Sequence, residues 1–335
     1  MHICFRYLVL YTEVSSYIWF EVGNKKANPS VEVLVLGDSQ LLSGINASTI
    51  SELANVPTEK ILFMVRPSEQ PEGMYDQYLK LQSDLPNLKK IYLNLSPISL
   101  SKNTVLDAHR ELFYGFGSFH LHQLTDNDLR HAYFNSNYDL IWKLIIEVFP
   151  FFGLNQNFSS LFAIVNSGSS SLDGEVQNSN HVLSKMPTLS LLRSRREQNQ
   201  FLIRHFQNNE SWTWKAYGEE RVLKVSDILP DGSALAFQKE RQLSVRIIKR
   251  LVAKAKAEKV QVICLDLPFS PALEKDIEKH NIRNYLDKQK EELDFDQVIN
   301  VASSHLNKEI YFTDFTHLNY KGRDVLRSFL LKSKD

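Results

Sequence analysis

Three side chains capable of acyl-transfer chemistry stand near opposite ends of this chain. Ser39 stands near the end of the stretch Val31–Gln40 (VEVLVLGDSQ), while Asp314 and His317 lie three residues apart in TDFTHLNYKG. A serine hydroxyl is a weak nucleophile until a base takes its proton. Imidazole is suited to that task near neutral pH, and a carboxylate on its other nitrogen fixes the tautomer and stabilises the imidazolium. The chain supplies all three groups in the order Ser, Asp, His. A separation of three brings a carboxylate to Nδ1 from a loop or from one helical turn. Each motif also has a plainer meaning: Gly37-Asp38-Ser39 are favoured turn residues, and Asp314 or Thr316 can cap a helix.

These groups must be held by larger elements. Val33-Leu34-Val35-Leu36 is an apolar, β-branched run stopped by Gly37, the pattern of a buried parallel strand. A short helix is expected over Ile45–Leu53, capped by Asn46 or Ser48. Lys60–Val65 is a second strand, Arg66–Gly73 its polar exit loop and Met74–Ser83 a helix. Lys90–Leu95 is a third strand, ended by Ser96-Pro97. This β-α-β-α-β rhythm implies a parallel sheet with helices on its faces. In such sheets ligands collect beyond the carboxyl ends of the strands, where Ser39 falls and where backbone N–H groups can hold an oxyanion.

From Ile98 to Gly232 the alternation is lost. Arg110–His122 is aromatic with two histidines, Leu140–Phe152 is an apolar helical run, Asn166–Asn180 is a Ser/Gly-rich loop, and Ser211–Tyr217 has strand-like spacing. The stretch is best taken as an insertion between the third and fourth strands. Order resumes with an amphipathic helix over Gln238–Glu258, a fourth strand over Lys259–Leu267 and its exit loop Pro268–Pro271. Helices are expected over Ala272–Leu286 and Phe295–Leu306, a fifth strand over Glu309–Phe312 and a closing helix over Tyr320–Leu331. That order puts Asp314 and His317 beyond a strand end, on the sheet edge that carries Ser39.

Composition narrows the classes. With 335 residues, 43% of them hydrophobic, the chain can bury a full core. Lys plus Arg and Asp plus Glu both number 39, so no basic face for nucleic acid or anionic membrane is indicated. The two cysteines, Cys4 and Cys264, make neither a disulfide framework nor a zinc site. His109, His120, His122 and His131 cluster without matched cysteines or carboxylates, so surface or lid histidines are expected rather than metal ligands. Asp266, at the end of the fourth strand, either lines the pocket or caps a turn. The first 23 residues are apolar but interrupted by Arg6 and Glu13, then followed by Lys25 and Lys26. Their uncharged runs are too short for a span of roughly 20 residues. Two readings stand for this segment: a shortened membrane anchor, or a first helix or strand covering the core.

Gly37-Asp38-Ser39-Gln40 after the first strand resembles the first block of the SGNH (GDSL-type) hydrolases. Asp314-Phe315-Thr316-His317-Leu318-Asn319, with Gly322 beyond, resembles their closing Asp-x-x-His block. The resemblance covers about residues 31–100 and 238–331. It implies a flavodoxin-like three-layer α/β/α sandwich with a five-stranded parallel sheet, here carrying a large, mostly helical insertion between strands 3 and 4. It divides the chain into an N-terminal segment (1–28), a hydrolase-like domain (29–97 and 236–335) and an insertion or lid (98–235).

The resemblance further implies a Ser39–His317–Asp314 triad that needs neither metal nor organic cofactor. Its substrate would be an acyl ester or acylated carbohydrate, and oxyanion donors would come from Ser39, Gly73 and Asn94. The pattern departs from the family after the third strand, where Leu93-Asn94-Leu95-Ser96-Pro97 replaces Gly-x-Asn-Asp. Ser96 is a further candidate donor there. Such divergent blocks, with a large insertion, are similar to the bacterial envelope branch, which includes alginate-type O-acetyltransferases and D-alanyl transfer proteins. An envelope location follows if residues 1–28 anchor the chain, and a cytoplasmic one otherwise. The alternative function is a non-catalytic binding protein built on an inactive form of the same fold.

Overall fold

The computed structural model describes residues 28–66, 69–96, 119–134, 136–149, 242–279, 282–301 and 306–332. The chain falls into two compact units: Met1–Asn24 with Arg110–Asn208, and Lys25–His109 with Asn209–Asp335. The second unit holds a five-stranded sheet among its described residues, formed by β1 (Val33–Gly37), β2 (Ile61–Val65), β3 (Lys90–Asn94), β4 (Gln261–Asp266) and β5 (Gln297–Asn300). Every pairing is parallel and the order is β2-β1-β3-β4-β5. The chain therefore starts in the sheet, moves outward to β2, crosses back over β1 to β3 and continues the other way. The reversal between β1 and β3 is the switch point at which open α/β sheets place their ligands. It lies between the ends of the strands that carry Gly37 and Asn94.

Every residue of β1 and β2 is buried, so helices cover both faces of the sheet. Leu34, Leu36, Ile61, Leu62, Val262 and Cys264 are fully inaccessible, and burying a side chain of Leu or Ile size stabilises by about 1.5–3 kcal/mol. One helical group packs α3 (Pro71–Leu81) against α7 (Gln242–Ala257). Ile247, Ile248, Leu251, Val252 and Ala255 give α7 its buried stripe. The other group packs α10 (Tyr320–Lys332) against α1 (Ser39–Gly44) and α2 (Ala47–Ala54). Asn46 caps α2 by accepting the Thr49 N–H at 2.9 Å, as its side-chain type suggests.

The fifth strand is not where the sequence pattern puts it. Glu309–Tyr311 is a 3₁₀ turn, and Phe312 forms only an isolated antiparallel bridge with Leu318. The Asn319 side chain donates to the carbonyls of Ile310 and Phe312, which ties this segment to its own loop. β5 instead falls within the helix expected over Phe295–Leu306. It is a four-residue edge strand whose side chains are mostly exposed, so it shows neither alternation nor an apolar run. The single helix expected over Ala272–Leu286 is two, α8 (Pro271–Lys279) and α9 (Ile282–Glu292). A large insertion separates β3 from β4, as expected.

In the first unit, the described residues form α4 (His122–Thr125), α5 (Asn127–Tyr133) and α6 (Asn137–Val148), the last matching the apolar run. His120 and His122 stack at 5.5 Å between ring centres, with His122 opening a helix. Most of residues 1–28, His109, the loop at Asn166–Asn180 and the strand expected at Ser211–Tyr217 lie outside the described residues. No helix among the described residues is long and apolar enough to cross a membrane.

Candidate active site

The turn that carries Ser39 is built by Asp38. Its side chain caps α1 by accepting the Gln40 N–H at 2.9 Å, so that Ser39 is the first helical residue. The same carboxylate accepts the Asn94 amide at 2.8 Å and the Ser96 hydroxyl at 2.9 Å, both at the end of β3. Asn94 Oδ1 in turn accepts the Asp38 N–H at 3.1 Å. Asp38, Asn94 and Ser96 are all buried, so this lock holds the turn across the switch point without competition from water. Gly37 leaves room for it: a Cβ there would lie 2.3 Å from Asn94 Oδ1 and 2.6 Å from Leu41 Cδ2.

The loop that carries Asp314 and His317 runs from Thr313 to Asn319. Thr313 donates its N–H to the His317 carbonyl at 2.9 Å, which closes the loop, and Asn319 Oδ1 accepts the Gly322 N–H at the start of α10. Gly322 is required by packing, since a Cβ would sit 2.2 Å from the Tyr311 carbonyl oxygen. Within the loop, Asp314 Oδ1 accepts the backbone N–H groups of Thr316 and His317, both at 2.9 Å, and also the Thr316 hydroxyl. The Asp-x-Thr-His spacing therefore does make a capping turn, although no helix follows until Tyr320. The same carboxylate meets His317 Nδ1 at 2.8 Å through Oδ2 and 3.0 Å through Oδ1.

His317 Nε2 reaches Ser39 Oγ at 2.9 Å, across 278 residues of sequence. The structure thus brings together Ser39, His317 and Asp314. The hydroxyl faces one imidazole nitrogen and the carboxylate holds the other, as proton transfer from serine to imidazole requires. Two links that the sequence pattern did not reveal keep the halves in register. Ser43 Oγ accepts the Leu318 N–H at 3.3 Å, and Gln40 reaches the exit of β4. Ser43 and Gln40 follow the nucleophile within one helical turn, a spacing that places them near it only once α1 is known to begin at Ser39.

Burial works to raise the Asp314 carboxyl, but the His317 hydrogen bond and charge, with the N–H groups of Thr316 and His317, outweigh it. The group is held down at about 2. A depressed carboxylate stabilises the fold above its ordinary value of 3.8, and that contribution is lost as pH falls through about 2. The carboxyl carbon resonance of Asp314 is therefore expected to titrate with a midpoint near 2 and to stay flat above pH ~4. A midpoint at or above 3.8 would show that His317 does not hold the carboxylate.

The remaining candidates lie as follows. Asn94 reaches the nucleophile turn, but its amide oxygen and one N–H are bound to Asp38, so it braces the turn. Ser96 likewise donates to Asp38. Gly73 is the third residue of α3 and not part of the β2 exit loop. The helical ladder there begins with the Met74 N–H on the Gln70 carbonyl. Asp266 is buried against Lys290, with Nζ and Oδ2 2.6 Å apart. Among the described residues no group of three or more His, Cys, Asp or Glu is arranged to hold a metal ion. No protein-family model matches this chain, and no curated protein matches it.

Proposed function

We propose that this protein is a serine-dependent acyl-ester hydrolase or O-acyltransferase of the SGNH kind, acting on an acylated carbohydrate or small ester. The observation that carries the reading is the continuous chain Ser39 Oγ, His317 Nε2, His317 Nδ1, Asp314 Oδ2, with steps of 2.9 and 2.8 Å at the switch point of the sheet. Ser39 Oγ attacks the ester carbonyl as its proton passes to His317 Nε2. Asp314 stabilises the imidazolium, and a tetrahedral oxyanion forms. His317 returns the proton to the leaving alcohol, which leaves an acyl group on Ser39. Water or a sugar hydroxyl, deprotonated by His317, then attacks the acyl-serine and regenerates the hydroxyl.

Support for an oxyanion site comes from the Ser39 N–H, which stands at the first position of α1 and has no acceptor within the helix. Asn94 retains a second N–H beyond the one given to Asp38. Labelling with a fluorophosphonate probe tests the reading. The wild-type protein is expected to be labelled and to release acetate from acetyl esters, and Ser39→Ala is expected to lose both. Absence of Ser39-dependent labelling would leave the fold as a binding protein. Adding sugar acceptors to the acetyl-ester reaction separates transfer from hydrolysis.

A further inference from the structure

The exit of β4, Leu267–Ser270, touches both halves of the triad. Gln40 Nε2, on the residue after the nucleophile, donates to the Pro268 carbonyl at 2.9 Å and lies 3.4 Å from the Leu267 carbonyl. Two residues on, the Ser270 N–H donates to the Phe315 carbonyl at 3.0 Å, inside the turn between Asp314 and His317. Gln40, Leu267 and Ser270 are buried, as is the Phe269 side chain between the two contacts. Ser270 is itself fixed, because its hydroxyl accepts the Leu273 N–H at 3.3 Å and its carbonyl the Glu274 N–H at 2.9 Å, both in α8. The segment is a short strap anchored on a helix, with one end on the serine side and the other on the histidine side.

We infer that Gln40 is a positioning residue: through the strap Leu267–Ser270 it sets the distance between Ser39 Oγ and His317 Nε2. An amide is needed because both partners are carbonyl oxygens, which accept and never donate. A buried carboxylate at the same point would face two acceptors, and an apolar side chain would leave both carbonyls without the donor. The inference rests on the proposed hydrolase reading for its effect on rate. The contacts themselves, and the position of His317, can be followed without any activity.

The experiment compares wild-type protein with Gln40→Met, which keeps the length of the side chain, and Gln40→Glu, which keeps its shape. In wild type, the two Gln40 side-chain amide protons are expected to exchange slowly with solvent. In the folded variants the imidazole resonances of His317 are expected to shift, and fluorophosphonate labelling of Ser39 to slow by about ten- to hundredfold, as misplacement of a reacting pair by up to about 1 Å does. The pH dependence of the residual labelling is expected to change with the imidazole environment. Wild-type labelling rates with unchanged His317 resonances in either variant would overturn the inference, as would solvent-rate exchange of the Gln40 amide in wild type. Failure of the hydrolase reading is distinct: wild type itself would not be labelled, while the resonances would still report the strap.

Discussion

Asp314→Asn is expected to lower turnover of an ester substrate by about 10⁴-fold while leaving the fold intact. The asparagine oxygen can still accept the backbone N–H groups of Thr316 and His317, so the capping turn survives. Its amide nitrogen, however, now meets Nδ1 where the carboxylate oxygen lay at 2.8 Å. To accept that N–H, Nδ1 must be unprotonated, which moves the imidazole proton to Nε2. Nε2 faces Ser39 Oγ at 2.9 Å and, once protonated, cannot take the serine proton. Steady-state kinetics on an acetyl ester, with circular dichroism on the same samples, checks both parts. A variant within tenfold of wild type would mean that the carboxylate does not orient the base.

Lys290→Met is expected to have the largest effect on stability. Lys290 and Asp266 are 6% and 4% exposed at the side chain, and their charges approach to 2.6 Å. The ammonium lies off the hydrogen-bonding direction of Oδ2, so the contact is chiefly an ion pair. Asp287, at 3.5 Å from the same ammonium, is half exposed and adds little. Removing the lysine takes a buried positive charge from beside the Asp266 carboxylate at the end of β4, at a cost of about 3–5 kcal/mol. For a domain of this size that corresponds to a fall in Tm of about 10 °C, measurable by thermal melts. The double variant Lys290→Met, Asp266→Asn is expected to recover most of the loss, because the buried carboxylate charge that Lys290 faced is removed with it. A single variant that melts with wild type would show the pair to be incidental.

The strands nearest the site were the most legible part of the chain. β1, β2, β3 and β4 are buried on both faces, so the same apolar, β-branched run that marks a strand also marks a central one. β5 was misplaced because an edge strand needs no such run. Val298 and Ile299 between Gln297 and Asn300 are too brief a pattern, whereas Glu309–Phe312 has strand-like residues that Asn319 holds in a loop. Asp314 and His317 therefore follow a 3₁₀ turn and not a strand, yet reach the expected edge because α10 packs on α1 and α2.

What the sequence alone determined about the site was chemical: a serine behind a buried strand, and a carboxylate and imidazole three residues apart. Those follow from residue type and local spacing, which short-range physics controls. Tertiary structure decided the rest. Whether Asn94 braces the turn or offers its amide to a substrate depends on where β3 ends beside Asp38, a contact between residues 56 apart in sequence. Whether Gly73 lies in a loop or a helix depends on where α3 begins. That Gln40 and Ser270 belong with the triad depends on two segments 227 residues apart meeting at one sheet edge, and that Ser43 does depends on a contact across 275 residues. A hydrogen bond over such a separation leaves no periodic trace in the chain, because its partners are chosen by the packing of helices on the sheet and not by their neighbours in sequence.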